Sequence, residues 1–494
     1  MLTILTTTSE IQQVKDTIAS VERLDELVDI VHESDGIKNL KIILVEENGI
    51  EVPLDWYDLE PPYVFPKTAF SRENLLALVF YKLGNHQRAF EYVSEASDLY
   101  HHLLVATHLQ FAYEISDEML VFAEKTSAHN TAILNYYGTI QNSLEYSGLK
   151  KLFIAALNQA ENEEIKIFTA KHYLNLLLDG GELQEAKQLA EQHLPVTVSE
   201  HANHAIKTHL AAILMALLRV PYDLKALDAV QDLQMECITF YESKGLNVQA
   251  GLLLIEAAEV ANFKEDFIAS KELINRAIQY FKQEDIPEFL GEAGLKKAIL
   301  LYTWSKNGSP QYYKAAINAF QDVLKVFKRD THPQKFADIH HNLALIYSEI
   351  PVSSEEKPMW TAFCASSFKE VLAFYTKEKY PYEHAMVSHN YATALMHFPP
   401  AKIHDNLEKA TGLFNDALEI RTALKYPFER ALTLLNQLEL AWLTHNANGD
   451  EEQKKYGIMK AKAEEIKSLV SDENLIAKAD EHLKELEKVK SLIQ

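Results

Sequence analysis

The sequence predicts an all-α fold, a solenoid of stacked antiparallel helix pairs, and three observations carry that expectation. First, Pro333, Pro381 and Pro427 stand 48 and 46 residues apart, each followed four residues on by Ala337, Ala385 or Ala431 and nine on by Asn342, Asn390 or Asn436. Second, a small-large-small stripe recurs before each proline at helical spacing: Ala316, Phe320, Val323; Cys364, Phe368, Val371; Ala410, Phe414, Ala417. Third, 15 Gly and 15 Pro in 494 residues leave few tight turns, while 47% apolar and 24% charged residues describe a folded chain. A single helix pair cannot bury its apolar face alone, so consecutive pairs must stack.

Taken in order, residues 1–66 lie outside the repeat. "SEIQQVKDTIASVERLDELVDIVHE" reads as one amphipathic helix. "LKIILVEENGIEVPL" reads as a small hairpin turning at Asn48–Gly49, and "EPPYVFP" as a rigid loop. Residues 67–195 hold shorter pairs. Gly84 turns the first, before Ala89, Val93 and Ala96; Gly180–Gly181 turns another, before Ala186 and Ala190. Residues 196–450 hold the units of about 46 residues, with Ser270, Ile274 and Ala277 as an earlier copy of the stripe. Each proline suits a first helical turn, where its fixed φ is an advantage and its missing N–H is not needed. Residues 451–494 are charge-rich with a thin apolar stripe, which suits helices capping the last repeat.

The bulk properties exclude several function classes. A net charge of −23 repels phosphate backbones and anionic lipid, so neither nucleic acid nor a membrane is the expected partner. Cys237 and Cys364 cannot build a disulfide framework, and the N-terminus has no basic, apolar leader, so a cytoplasmic protein is expected. His201, His204 and His209 spread over roughly 140° of a helix, too wide for one ion, and adjacent histidine pairs point apart. No metal or cofactor is expected. Phosphate-binding, nucleophile-elbow and zinc-protease motifs are missing, and with them any specific reason to expect an enzyme.

The stretches at 75–96 and 174–190, with a small residue, a turn glycine and then an alanine five residues later, resemble the tetratricopeptide repeat. The resemblance covers roughly residues 70–470, and the long C-terminal copies look like those of bacterial proteins. It implies a right-handed solenoid whose first helices line a groove, and a bacterial scaffold or adaptor binding a peptide or partner protein. The groove row it implies is His172, His209, Glu256, Lys297, Asn342, Asn390 and Asn436, with His389 and Asp338 beside it. An asparagine amide both donates and accepts, so such a row can hold an extended backbone without reading its side chains. The alternative is that these asparagines bond between helices. The family's basic clamp for acidic ligands is absent, since Asp338, Met386 and Leu432 stand one turn before the asparagines. A neutral or basic ligand is therefore expected. A peptide-responsive regulator and an enzyme with a groove site are the rival readings.

Overall fold

The computed structural model describes residues 1–7, 9–32, 41–399, 405–444 and 449–493. They fall into two compact units, Met1–Lys264 and Glu265–Gln494. The first opens with a four-stranded sheet of β1 (Leu2–Thr6), β2 (Val28–His32), β3 (Ile42–Glu46) and β4 (Gly49–Glu51), in the order β2-β1-β3-β4. β1 runs parallel to both neighbours and is buried along its whole length, as a central parallel strand must be.

The long N-terminal helix expected from the sequence is shorter than its pattern. It spans Ile11–Ala19 and buries Val14, Thr17 and Ile18. Arg23 then takes a left-handed φ of 61°, and Val28–His32 pairs with β1 as a strand. Its β-branched residues fit a pleated surface better than a helix, and a parallel partner was available to claim them. The hairpin stands where expected. Gly49 has φ 128°, and a Cβ there would come within 2.4 Å of Thr68 O. Ile50 and Thr68 exchange two main-chain hydrogen bonds of 2.7 and 2.9 Å beside it.

From Arg72 onward the first unit is helical. Its pairs are Arg72–Lys82 with His86–Glu91, Asp98–Gln110 with Asp117–Thr126, Ala128–Tyr137 with Tyr146–Asn158, Glu163–Asp179 with Leu183–His193, and Glu200–Leu217 with Leu224–Ser243; Asn247–Phe263 follows. Ser71, Ser97, Ser127, Asn162 and Ser199 cap the first helices, each accepting from the N–H three residues on. Gly84 and Gly181 make the turns with φ of 83° and 70°. The helix carrying Ala89 ends at Glu91, so Val93 and Ala96 do not continue its stripe. Ser97 instead caps the next helix.

In the second unit Phe267–Gln283 precedes the long pairs Pro287–Lys306 with Tyr313–Val323, Pro333–Glu349 with Lys357–Phe374, Pro381–Met396 with Asn406–Ile420, and Pro427–Leu443 with Gly449–Leu469. Glu473–Ile493 closes it. Each proline opens its helix, and Pro287 adds a copy 46 residues before Pro333. Gly291 takes the alanine position there, because a Cβ would approach the Phe327 ring to 2.9 Å. Ala337, Ala385 and Ala431 are fully buried, as are Phe320, Phe368 and Phe414 on the partner helices. The residues read as a stripe are the seam between pairs.

Candidate functional site

In the first unit, residues 55–65 ("DWYDLEPPYVF") leave the sheet as a strap that turns through residues 56–60, with Asp58 at φ 56°, and crosses the first helices of the pairs. The helices hold the strap largely by its main chain. Trp56 O accepts from Lys171 Nζ at 3.1 Å, and Tyr57 O from Gln249 Nε2 at 3.0 Å. Pro62 O accepts from His129 Nε2 at 3.0 Å. Asn130 takes both groups of Val64: its Oδ1 accepts from the N–H at 2.9 Å, and its Nδ2 donates to the carbonyl at 2.8 Å. Asn130 is fully buried, so neither half of this bond has water as a substitute.

Side chains add a second set of contacts. Tyr63 OH meets His102 Nδ1 at 2.7 Å, and Tyr57 OH meets His201 Nδ1. Trp56 sits edge-on to Phe168, with centroids 5.1 Å apart, and Phe65 edge-on to Tyr81 at 5.3 Å. Asp55 stiffens the strap from within by accepting from the N–H groups of Tyr57 and Glu60. Burial lowers His102 and His129 to a pKa of about 4, so both imidazoles are neutral and His129 donates to Pro62 as Nε2–H. Beside the strap lies an open cleft of about 1450 Å³, reached by Lys41, Lys82, Asn130, Glu164 and His201. The loop read as merely rigid is thus the occupant of the helical face. Its composition, rich in aromatic residues, acids and prolines, was the available signal.

In the second unit, the row expected from the sequence lies on the proline-started helices and forms rungs between them. Asn390 Nδ2 donates to His341 Nε2 on the preceding helix at 3.0 Å. Asn436 Nδ2 donates to His389 Nε2 at 3.3 Å and to Thr393 Oγ1 at 2.8 Å. His389 Nδ1 faces Thr433 Oγ1 at 3.2 Å. That hydroxyl donates to Glu429 O, so the imidazole proton is on Nδ1 and Nε2 is the acceptor the asparagine needs. Burial holds His341 and His389 at about 4, which keeps both as acceptors. Asn342 has no such partner, because Leu295 stands where a histidine would be, and it turns back onto Asp338 O at 2.9 Å. Among the described residues nothing donates to Oδ1 of Asn390 or Asn436, and both side chains are half-buried.

The remaining members of the row lie apart from these rungs. Asp338 accepts from Tyr375 OH at 2.5 Å; burial and nearby Glu383 push its carboxyl up. Lys297 donates to Asn275 Oδ1 at 2.8 Å; counted from Pro287, the position matching Asn342 is Lys296. In the first unit His172 is 1% exposed, packed on Phe168 with Tyr137 OH on Nδ1. His209 bonds Asn175 Oδ1 at 2.9 Å. His201 and His204 are engaged by Tyr57 and by a stacked Phe240 ring.

The residue that sequence reading missed is Asn130. It follows His129 and precedes Ala132 by two, as Asn342 does with His341 and Ala344, and Asn390 with His389 and Ala392. All three alanines are fully buried, so the three His-Asn pairs occupy one position on their helices relative to the core.

No protein-family model matches the chain, and no curated protein matches its sequence. Among solved structures it is similar to a signal transduction ATPase with numerous domains carrying a tetratricopeptide repeat sensor, from Pyrococcus horikoshii. The TM-score is 0.50 at 14% identity, over 99% of this chain and 82% of that one. A structure of Naa15/Naa10 bound to HypK-THB aligns at TM-score 0.37 and 12% identity, over 85% and 76% of the two chains. No helix among the described residues is long and apolar enough to cross a membrane. The first of these likenesses, with the stacked helix pairs themselves, makes the fold a tetratricopeptide-like helical repeat carrying a small N-terminal α/β segment.

Proposed function

We propose that this chain is a non-catalytic protein-interaction scaffold, and that the second unit binds an extended segment of a partner across its proline-started helices. The observation that carries the reading is the Asn130–Val64 pair, an asparagine of this chain holding both main-chain groups of an extended segment. Asn342 and Asn390 stand in the same His-Asn-x-Ala setting, and Asn390 and Asn436 keep a carbonyl oxygen free to accept a backbone N–H. Asp338 and Glu383 put acid on this face, so a neutral or basic segment suits it.

The test is calorimetric titration of acidic, neutral and basic extended peptides into the full chain and into Asn390→Ala. The basic peptide should bind best, more weakly in the variant, and more slowly as salt rises from about 50 to 500 mM. A variant that melts early yet keeps its affinity would reduce the asparagines to packing. A second reading, a ligand-responsive regulator, is favoured by the likeness to a chain with a tetratricopeptide sensor. It requires that peptide binding change hydrogen exchange in helices that do not touch the peptide.

A further inference from the structure

The strap brings acids to places where the first unit has buried cations. Lys171 is 1% exposed, and its Nζ lies 2.6 Å from Asp58 Oδ1. Lys82 is 8% exposed, and its Nζ lies 2.5 Å from Glu60 Oε2. Among the described residues, the only carboxylates that pair with these two ammonium groups are Asp58 and Glu60, two residues apart on the strap. A charge at that depth is costly unless it is paired and hydrogen-bonded. The strap's two acids thus offset the burial that the strap itself imposes, and any segment that covers the two ammonium groups in its place must bring two negative charges at this spacing. It must also offer main-chain groups to His129, Asn130, Lys171 and Gln249, and rings to Phe168 and Tyr81.

We propose that residues 55–65 are a built-in ligand of the first unit, and that the face they occupy is a receptor for an acidic segment of the pattern Asp-x-Glu-Pro-Pro-Tyr that takes up the same bend at Asp58. A partner segment of that chemistry exchanges with the strap. This rests on the reading of the chain as a binder of extended segments, but it assigns a second face with the opposite charge preference. It also gives Pro61 and Pro62 a role, because two prolines restrict the segment's backbone before it binds and lower the entropy of ordering it.

The test uses a labelled peptide of residues 55–65 and its Asp58→Asn/Glu60→Gln counterpart. Each is titrated by fluorescence anisotropy into the full chain and into a full chain carrying the same two substitutions. The acidic peptide should bind the substituted chain at least ten-fold more tightly than it binds the intact one. The neutral peptide should bind at least ten-fold more weakly than the acidic one, and the difference should shrink with salt. Should the substituted chain not fold, hydrogen exchange of the intact chain in excess acidic peptide gives the answer. The Val64 amide must lose protection while amides in Glu163–Asp179 keep theirs. Equal affinity for both peptides, or a Val64 amide that stays protected at saturating peptide, would make the strap a permanent piece of the fold and overturn the proposal. Because every readout lies in the first unit, this outcome is independent of what Asn390→Ala does to the second.

Discussion

In the first unit a His-Asn pair holds a non-helical stretch of the same chain; in the second, the same pair of residue types holds the helix next door. His129 Nε2 and Asn130 spend their bonds on Pro62 and Val64, while His129 Nδ1 meets Thr169 Oγ1 on the helix Glu163–Asp179 at 2.8 Å. His341 and His389 spend theirs on Asn390 and Asn436, one repeat further along. The difference follows from spacing and from what lies within reach. In the second unit a histidine stands eight residues after Pro333 and after Pro381, and an asparagine nine after the proline that follows each, so the two meet across adjacent helices. In the first unit the neighbouring helix takes only His129 Nδ1, through Thr169, and the strap takes the rest. A polar row on stacked helices is thus a set of unsatisfied main-chain readers, and the nearest available group decides whether it becomes a packing device or a binding surface.

The largest effect should come from the seam that both roles depend on. Phe414→Ala and Phe320→Ala each remove a fully buried ring and should cost about 3–5 kcal/mol, read from urea unfolding. If either costs less than about 1 kcal/mol, the pairs are not held at these positions. Next comes Asn130→Ala, which strands the buried N–H and carbonyl of Val64 and should cost about 2–4 kcal/mol. It should also speed exchange of the Val64 amide. The matching Asn390→Ala strands only an imidazole nitrogen, and a comparable loss there would erase the distinction between the units.

Acidification should act on both units with one sign. His102, His129, His341 and His389 are held by burial at about 4, against an ordinary value of 6.5. Between those values the unfolded chain binds more protons than the folded one. Stability contributed by these groups is therefore full above pH 6.5 and is lost as pH falls through about 4. The urea midpoint should drop from pH 7 to pH 4.5, and by less in His341→Gln/His389→Gln. A midpoint that rises instead would mean the imidazoles are charged in the fold. The smallest change expected is Leu295→His, which would supply Asn342 with the rung it lacks. A gain of about 0.5–1 kcal/mol is expected, and a loss would show the Leu295 side chain to be needed as packing.

The repeat was legible because each of its marks answers a local demand. Pro333, Pro381 and Pro427 start helices wherever they stand, and an alanine or phenylalanine at a seam is recognisable from spacing alone. The asparagine row was legible as a position, with bonding between helices as one of its two readings, but the histidine partners were not. The strap was hidden for a different reason: Val64, Trp56 and Tyr57 meet partners 66, 115 and 192 residues away, and no periodicity records such pairs. Val28–His32 shows the same limit at short range. Its helical pattern held until β1 offered a parallel edge. Asn130 did carry a signal, the His-Asn-x-Ala it shares with the second unit, but its helix has no proline to mark the register.

The two hydrogen bonds between Ile50 and Thr68 close the strap at its base, so both of its ends stay tied to the sheet even when its middle is out of the face. A tethered segment of this length competes at an effective concentration on the order of millimolar. A free segment of equal intrinsic affinity must reach that same level to occupy half of the molecules. The first unit would then ignore scarce acidic segments and respond to those that are locally crowded, delivered on a multivalent partner, or better matched than the strap itself.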